Sequence, residues 1–128
     1  MGFDKSWRKL AAEKLNHGSV LDLGSGTGAS YTDLMNFDVT ALDPDEQMLS
    51  LNNFEKKVVG KGEELPFKEN SFDNVLCCFV WRNVSDTEKA LSEVYRVLKP
   101  GGKFILLDMT RPKNSFLKLI HKIGTFIF

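Results

Sequence analysis

The chain has only two cysteines in 128 residues, Cys77 and Cys78, and they are adjacent inside an apolar run. Vicinal thiols cannot staple distant loops or supply a four-ligand zinc site, so a disulfide scaffold is excluded and a reducing compartment is indicated. Charge of one sign is also missing: 17 lysines and arginines balance 17 aspartates and glutamates. A protein that neutralises many phosphates needs surplus cations, so general nucleic-acid binding is not expected. No apolar run reaches membrane-spanning length, and the polar N-terminal segment has no signal-peptide core. A cytoplasmic protein is the resulting expectation. Repeats, low-complexity tracts and linkers are absent too, which leaves residues 1–128 as one domain.

Apolar stretches alternate with segments of helical period, the pattern of a parallel sheet covered by helices. Trp7, Leu10, Ala11 and Leu15 recur at helical spacing, with Asp4 as a candidate N-cap and Gly18 as a stop. Residues 19–23 read as a first buried strand, followed at once by Gly24-Ser25-Gly26-Thr27-Gly28 and a predicted helix to about Met35. Residues 38–42 form a second predicted strand closed by Asp43-Pro44. A helix over 45–53 follows, with Met48, Leu49 and Leu51 partly buried, then a short strand over 57–60. Residues 74–80 read as a central strand buried on both faces. Ser85 and Glu88 make a capping box for a helix presenting Leu91, Val94, Tyr95 and Leu98. Residues 99–102 turn the chain into a strand over 103–109, and residues 115–128 form an amphipathic helix candidate. About five parallel strands suit a doubly wound α/β sheet.

A strand running into Gly24-x-Gly26-x-Gly28 and then a helix is a corner built for a ligand. Missing side chains let backbone approach closely, and a helix N-terminus offers N–H donors. Asp43 ends the second strand, where a carboxylate can accept from both hydroxyls of an adenosine ribose; capping of the following helix is its alternative role. Gly24-x-Gly26-x-x-Ala29 also satisfies a dinucleotide pattern. Asp22 argues against that ligand, because an acid two residues before the first glycine repels a pyrophosphate and attracts an ammonium or sulfonium.

These residues resemble a known family. Residues 20–28, Val-Leu-Asp-Leu-Gly-Ser-Gly-Thr-Gly, are similar to the first motif of class I S-adenosylmethionine-dependent methyltransferases. Residues 41–49 resemble the second motif, and the segments 64–67, 70–73 and 96–102 continue the pattern in order. Arg82-Asn83-Val84, Lys89-Ala90-Leu91, Glu93 and residues 107–112 resemble the ubiquinone/menaquinone-biosynthesis C-methyltransferases among them. The resemblance implies a Rossmann-like parallel sheet in the order 3-2-1-4-5 with helices on both faces, and S-adenosyl-L-methionine as cofactor. It implies that Asp22, Gly24, Ser25, Gly26, Thr27 and Gly28 border the methionine part. Asp43 and Pro44 would hold the ribose, Met48, Lys61, Gly62 and Glu63 would meet the adenine, and Cys78 would lie beneath.

Three departures accompany the resemblance. Lysine stands at 61 where the family has an acid, so either Glu63 or a backbone carbonyl accepts from the adenine amine or cofactor affinity is reduced. Cys78 replaces a small hydroxyl residue. The family's C-terminal antiparallel hairpin is lacking, which is expected to leave an open sheet edge and an apolar tail for a homodimer or other partner to cover; contact with a membrane surface is the alternative. Methyl transfer needs alignment and water exclusion rather than a nucleophilic triad. On a small apolar acceptor such as a quinol or phenol, a base would help. Asp108 is the best-placed candidate, ahead of His121 and Tyr31, and Arg82 could stabilise a phenolate. A cofactor-binding module without turnover and, more distantly, a nicotinamide oxidoreductase are the alternative functions.

Overall fold

The computed structural model describes residues 2–78 and 84–107. Five parallel strands form one sheet in the order 3-2-1-4-5, as expected. β1 (Ser19–Leu23) lies at the centre, between β2 (Asp38–Asp43) and β4 (Phe72–Cys78). β3 (Lys56–Val59) extends the sheet beyond β2, and β5 (Leu98–Leu107) extends it beyond β4. The chain builds outward from β1 in one direction and then returns to the other side. That reversal opens a crevice at the carboxyl ends of β1 and β4, where open α/β sheets bind ligands.

Strand alternation sorts the core into two layers. Leu21, Leu23, Val75, Cys77, Phe104 and Leu106 pack with Ala90, Leu91, Val94 and Val97 of α3 (Thr87–Val97). On the opposite face, Val20, Leu76, Cys78, Ile105 and Leu107 pack with Ala11 and Ala12 of α1 (Gly2–Glu13), and with Leu49 of α2 (Glu46–Ser50). Asp22 has the parity of Val20, so a carboxylate is carried into the second layer.

Several local expectations are corrected. Asp4 lies inside α1 rather than at its cap, and Leu10 is exposed. The predicted helix to Met35 does not form; turns lead to a single 3-10 turn at Thr32–Leu34. α2 is shorter than expected and buries only Leu49, leaving Met48 and Leu51 exposed. Asp86, not Ser85, caps α3 by accepting from the Lys89 N–H, and Tyr95 faces outward. Leu98 already belongs to β5, paired with Phe72. The turn at 99–102 is absorbed as an irregularity before Lys103 pairs with Asn74. Arg82, Asp108, His121 and the predicted tail helix over 115–128 lie outside the described residues.

Polar ties fix the connections around α3 and β4. Arg96 donates to the carbonyls of Phe67 and Leu65 at 2.7 and 2.9 Å, and Glu93 accepts from the Leu65 N–H at 2.9 Å. Together they fasten the β3–β4 connection to α3. Their mutual ion pair lowers the Glu93 carboxyl and raises the Arg96 guanidinium. Near the start of β4, Asn74 is fully buried. Its Oδ1 accepts from the Asn16 N–H at 2.8 Å, and its Nδ2 donates to the carbonyls of Asn16 and Ser19 at 2.9 and 3.1 Å. Asn74→Ala would strand these buried groups, so chemical denaturation should show a loss of about 2–4 kcal/mol. An unchanged midpoint would contradict that tie.

Candidate functional site

β1 runs into a turn made of Gly24, Gly26 and Gly28, all with positive φ. A Cβ at Gly26 would stand 3.0 Å from Met48 Cε in a backbone conformation that L side chains rarely adopt. Four of the backbone donors of this turn are committed internally. The Gly24 and Ser25 N–H groups donate to the Leu42 carbonyl at 2.8 and 2.9 Å, and Gly28 donates to the Ser25 carbonyl at 2.9 Å. Gly26 donates to Asp43 Oδ2 at 2.9 Å. With no α-helix following directly, the helix N-terminus expected to offer N–H donors is not formed at this corner. An anion therefore finds fewer free donors here than a phosphate-binding corner supplies.

Asp43 is buried at the end of β2, and its Oδ1 accepts from the Asp45 N–H at 2.8 Å. Each carboxylate oxygen thus takes one backbone donor and keeps acceptor capacity for another. The capping role belongs to Asp45, which accepts from the Gln47 and Met48 N–H groups.

Beneath the turn runs a second polar chain. Asn52 Nδ2 donates to Ser25 Oγ at 2.9 Å, and Ser25 Oγ donates to Asp22 Oδ2 at 2.7 Å. Burial pushes the Asp22 carboxyl up to about 6; the Ser25 hydrogen bond and the Arg8 charge oppose that rise, and the Asp43 charge adds to it. Arg8 reaches over from α1, where its Nη1 donates to Ser30 Oγ at 3.1 Å.

A cleft of about 380 Å³ opens above these groups. Gly24, Ser25, Gly26 and Thr27 line one side; Asp43, Pro44 and Met48 line the next. Lys61, Gly62 and Glu63 form the far wall, with Cys78 at the base. Glu63 Oε2 accepts from the Ser85 N–H at 3.0 Å, tying that wall to the approach to α3. Burial drives the Cys78 thiol up to about 12, with the Asp22 charge adding to the effect. Two expected lining residues are not in the wall. Asp22 sits below it, and Gly28 faces Asn52, whose Oδ1 would stand 3.0 Å from a Cβ there. Neither Arg8 nor Asn52 was among the expected site residues. Arg8 was legible only as part of a lead-in helix, and Asn52 only as a polar residue near the end of the predicted helix over 45–53.

The Asp22 environment fixes a pH dependence. Its native value of about 6 lies above the ordinary 3.8, so the native state retains a proton that the unfolded chain releases. Ionisation then costs the native state on the order of 3 kcal/mol above pH 6 and nothing below both values. Asp22→Asn, which keeps an acceptor for Ser25, should raise the unfolding free energy at pH 7.5 and lose that advantage near pH 4. An equal gain at both pH values would contradict the buried charge.

A family model described as a methyltransferase domain matches residues 21–106. The ubiquinone/menaquinone biosynthesis C-methyltransferase UbiE of Rickettsia felis is 37% identical, covering 98% of this chain and 58% of the relative. The protein of that name from Geotalea daltonii is 31% identical, covering 94% and 59%. The chain thus spans little more than half the length of these curated relatives. Among solved structures, YcgJ from Bacillus subtilis superposes with a TM-score of 0.76 at 28% identity, over 91% of this chain and 55% of that one. An S-adenosylmethionine-dependent methyltransferase from Thermotoga maritima gives 0.73 at 28% identity, over 93% and 61%. With the glycine turn, the strand order and the matched span in agreement, the chain belongs to the methyltransferase-domain family of class I S-adenosylmethionine-dependent methyltransferases.

Proposed function

We propose that this chain forms the cofactor-holding core of a methyltransferase that acts on a small apolar acceptor, a quinol or phenol ring. The observation that carries the reading is the committed donor set of the glycine turn. Gly24, Ser25, Gly26 and Gly28 spend their N–H groups on internal acceptors, while carboxylates stand beside and beneath the cleft. Such a corner disfavours the pyrophosphate of a dinucleotide and favours a cation. S-adenosylmethionine, when bound, supplies a methyl group on a positively charged sulfur.

The residues present fit that group. Asp43 retains acceptor capacity on both oxygens for ribose hydroxyls, and Gly26 leaves open the space a Cβ would fill against Met48. Arg8 lines the cleft as a cation suited to the methionine carboxylate, and Asp22 contributes negative charge from below. Glu63 lines the wall where Lys61 offers no side-chain acceptor, and it takes the role of accepting from the adenine amine. Cys78, raised to about 12, stays a neutral thiol and does not compete with the acceptor for the methyl group. The quinol or phenol acceptor rests on the names of the two curated relatives. Arg82 and Asp108 are the proposed acceptor-side residues, one to stabilise a phenolate and the other to take its proton.

Thermal unfolding with added ligand tests the cofactor. S-adenosylmethionine or its demethylated product at about a hundred times its Kd should add roughly 2.7 kcal/mol of stability. Asp43→Ala should weaken binding by about tenfold or more, because a charged acceptor and the tie to Gly26 are lost together. Stabilisation by NAD alone would overturn the assignment. Transfer of a labelled methyl group to a quinol tests the acceptor; binding without turnover across quinols and phenols would reduce the chain to a cofactor-binding module.

A further inference from the structure

Asn52 belongs to none of the motifs that define the cleft and does not line it, yet it is buried and makes three side-chain hydrogen bonds at once. Its Oδ1 accepts from the Phe54 N–H at 2.9 Å, and its Nδ2 donates to the Gly26 carbonyl at 3.0 Å. A backbone N–H can only donate and a carbonyl can only accept, so the two contacts allow a single orientation of the amide. The second Nδ2 hydrogen then meets Ser25 Oγ, which must accept it. The Ser25 hydroxyl proton is left with Asp22 Oδ2, 2.7 Å away. Direction is thus imposed along the whole chain from Phe54 to Asp22.

We propose that Asn52 is a positioning residue for the cofactor turn, one that aims the Ser25 hydroxyl at Asp22 and so keeps a carboxylate charged beneath the cleft. The role rests on the cofactor reading for its purpose, but not for its existence, since every contact lies within the protein. A hydroxyl held as a donor stabilises the ionised carboxyl. A hydroxyl free to turn would instead accept a proton from a neutral one. Three other groups act electrostatically with Asp22. Arg8 of α1 lowers the Asp22 value, Asp43 at the end of β2 raises it, and Cys78 at the end of β4 is itself raised by the Asp22 charge. None of them is anchored by Asn52. A Cβ at Gly28 would stand 3.0 Å from Asn52 Oδ1 at a positive φ, so Asn52 also favours glycine there although Gly28 does not border the cleft.

The test is a pH titration of the ligand-free, full-length chain, following the Asp22 carboxyl carbon and the Asn52 side-chain amide by NMR from pH 4 to 8. Both signals should move with one shared midpoint. Ser25→Ala should raise the Asp22 midpoint by about one pH unit and silence the Asn52 response, because the link between them is gone. Asn52→Ala should raise the midpoint in the same direction. The preference of the protein for S-adenosylmethionine over its uncharged-sulfur product at pH 7 should fall several-fold in both variants. If Asn52→Ala does not fold, the wild-type and Ser25→Ala titrations still decide. An Asn52 amide indifferent to the Asp22 titration in the wild type, or an unchanged Asp22 midpoint in Ser25→Ala, would overturn the proposal. A wild-type protein that shows the shared midpoint but binds no S-adenosylmethionine would sink the cofactor reading and leave Asn52 as the organiser of the turn.

Discussion

The hydrogen bond from the Gly26 N–H to the Asp43 carboxylate, 2.9 Å long, is the constraint around which the cleft is arranged. It joins the middle of the glycine turn to the end of β2 and fixes where the Asp43 carboxylate stands. It also removes a donor that an incoming phosphate would need. The same residue pair in a corner with open N–H groups and a helix N-terminus would suit an anion. Here the Leu42 carbonyl takes the two neighbouring donors, and the chain leaves the turn without an α-helix. In the proposed reading, the preference for a cationic nucleoside follows from how the backbone spends its hydrogen bonds, with the acids adding the sign of the field.

That field comes at a cost in stability. Asp22 sits in a layer built of apolar side chains, and burial outweighs the Ser25 hydrogen bond and the Arg8 charge in setting its protonation. A purely structural residue at this position would be apolar. Retaining an ionisable group there resembles other functional sites, where local stability is surrendered to hold a charge ready for its ligand.

Much of the architecture was legible before any coordinates. Continuous apolar runs at 19–23 and from 74 onward announced buried parallel strands, and the acid closing β2 announced its place beside the turn. What escaped has physical reasons. Gly26 and Gly28 take positive φ, the Gly28 N–H bonds back to Ser25 and the Tyr31 N–H to Gly28, so the segment settles into turns. Ser85 and Asp86 are both good caps. Ser85 instead gives its N–H to Glu63, and Asp86 accepts from the first turn of α3. Asn52 falls within the predicted helix over 45–53, where no local signal marks it for a distant partner. One of its contacts is local, to Phe54, but the other two reach back to residues 25 and 26, which no sequence window connects. Gly28 was assigned to the ligand for the same reason: the partner that crowds it is distant in sequence.

The charge beneath the cleft can be interrogated most directly by calorimetric titration of S-adenosylmethionine at pH 6 in two buffers of different ionisation enthalpy. Near that pH, about half of the Asp22 carboxyls carry a proton in the free protein, and a bound cation should drive it off. Release of about half a proton for S-adenosylmethionine, and clearly less for its uncharged-sulfur product, is the expected result. Identical apparent heats in the two buffers, or net proton uptake on binding the cation, would contradict it.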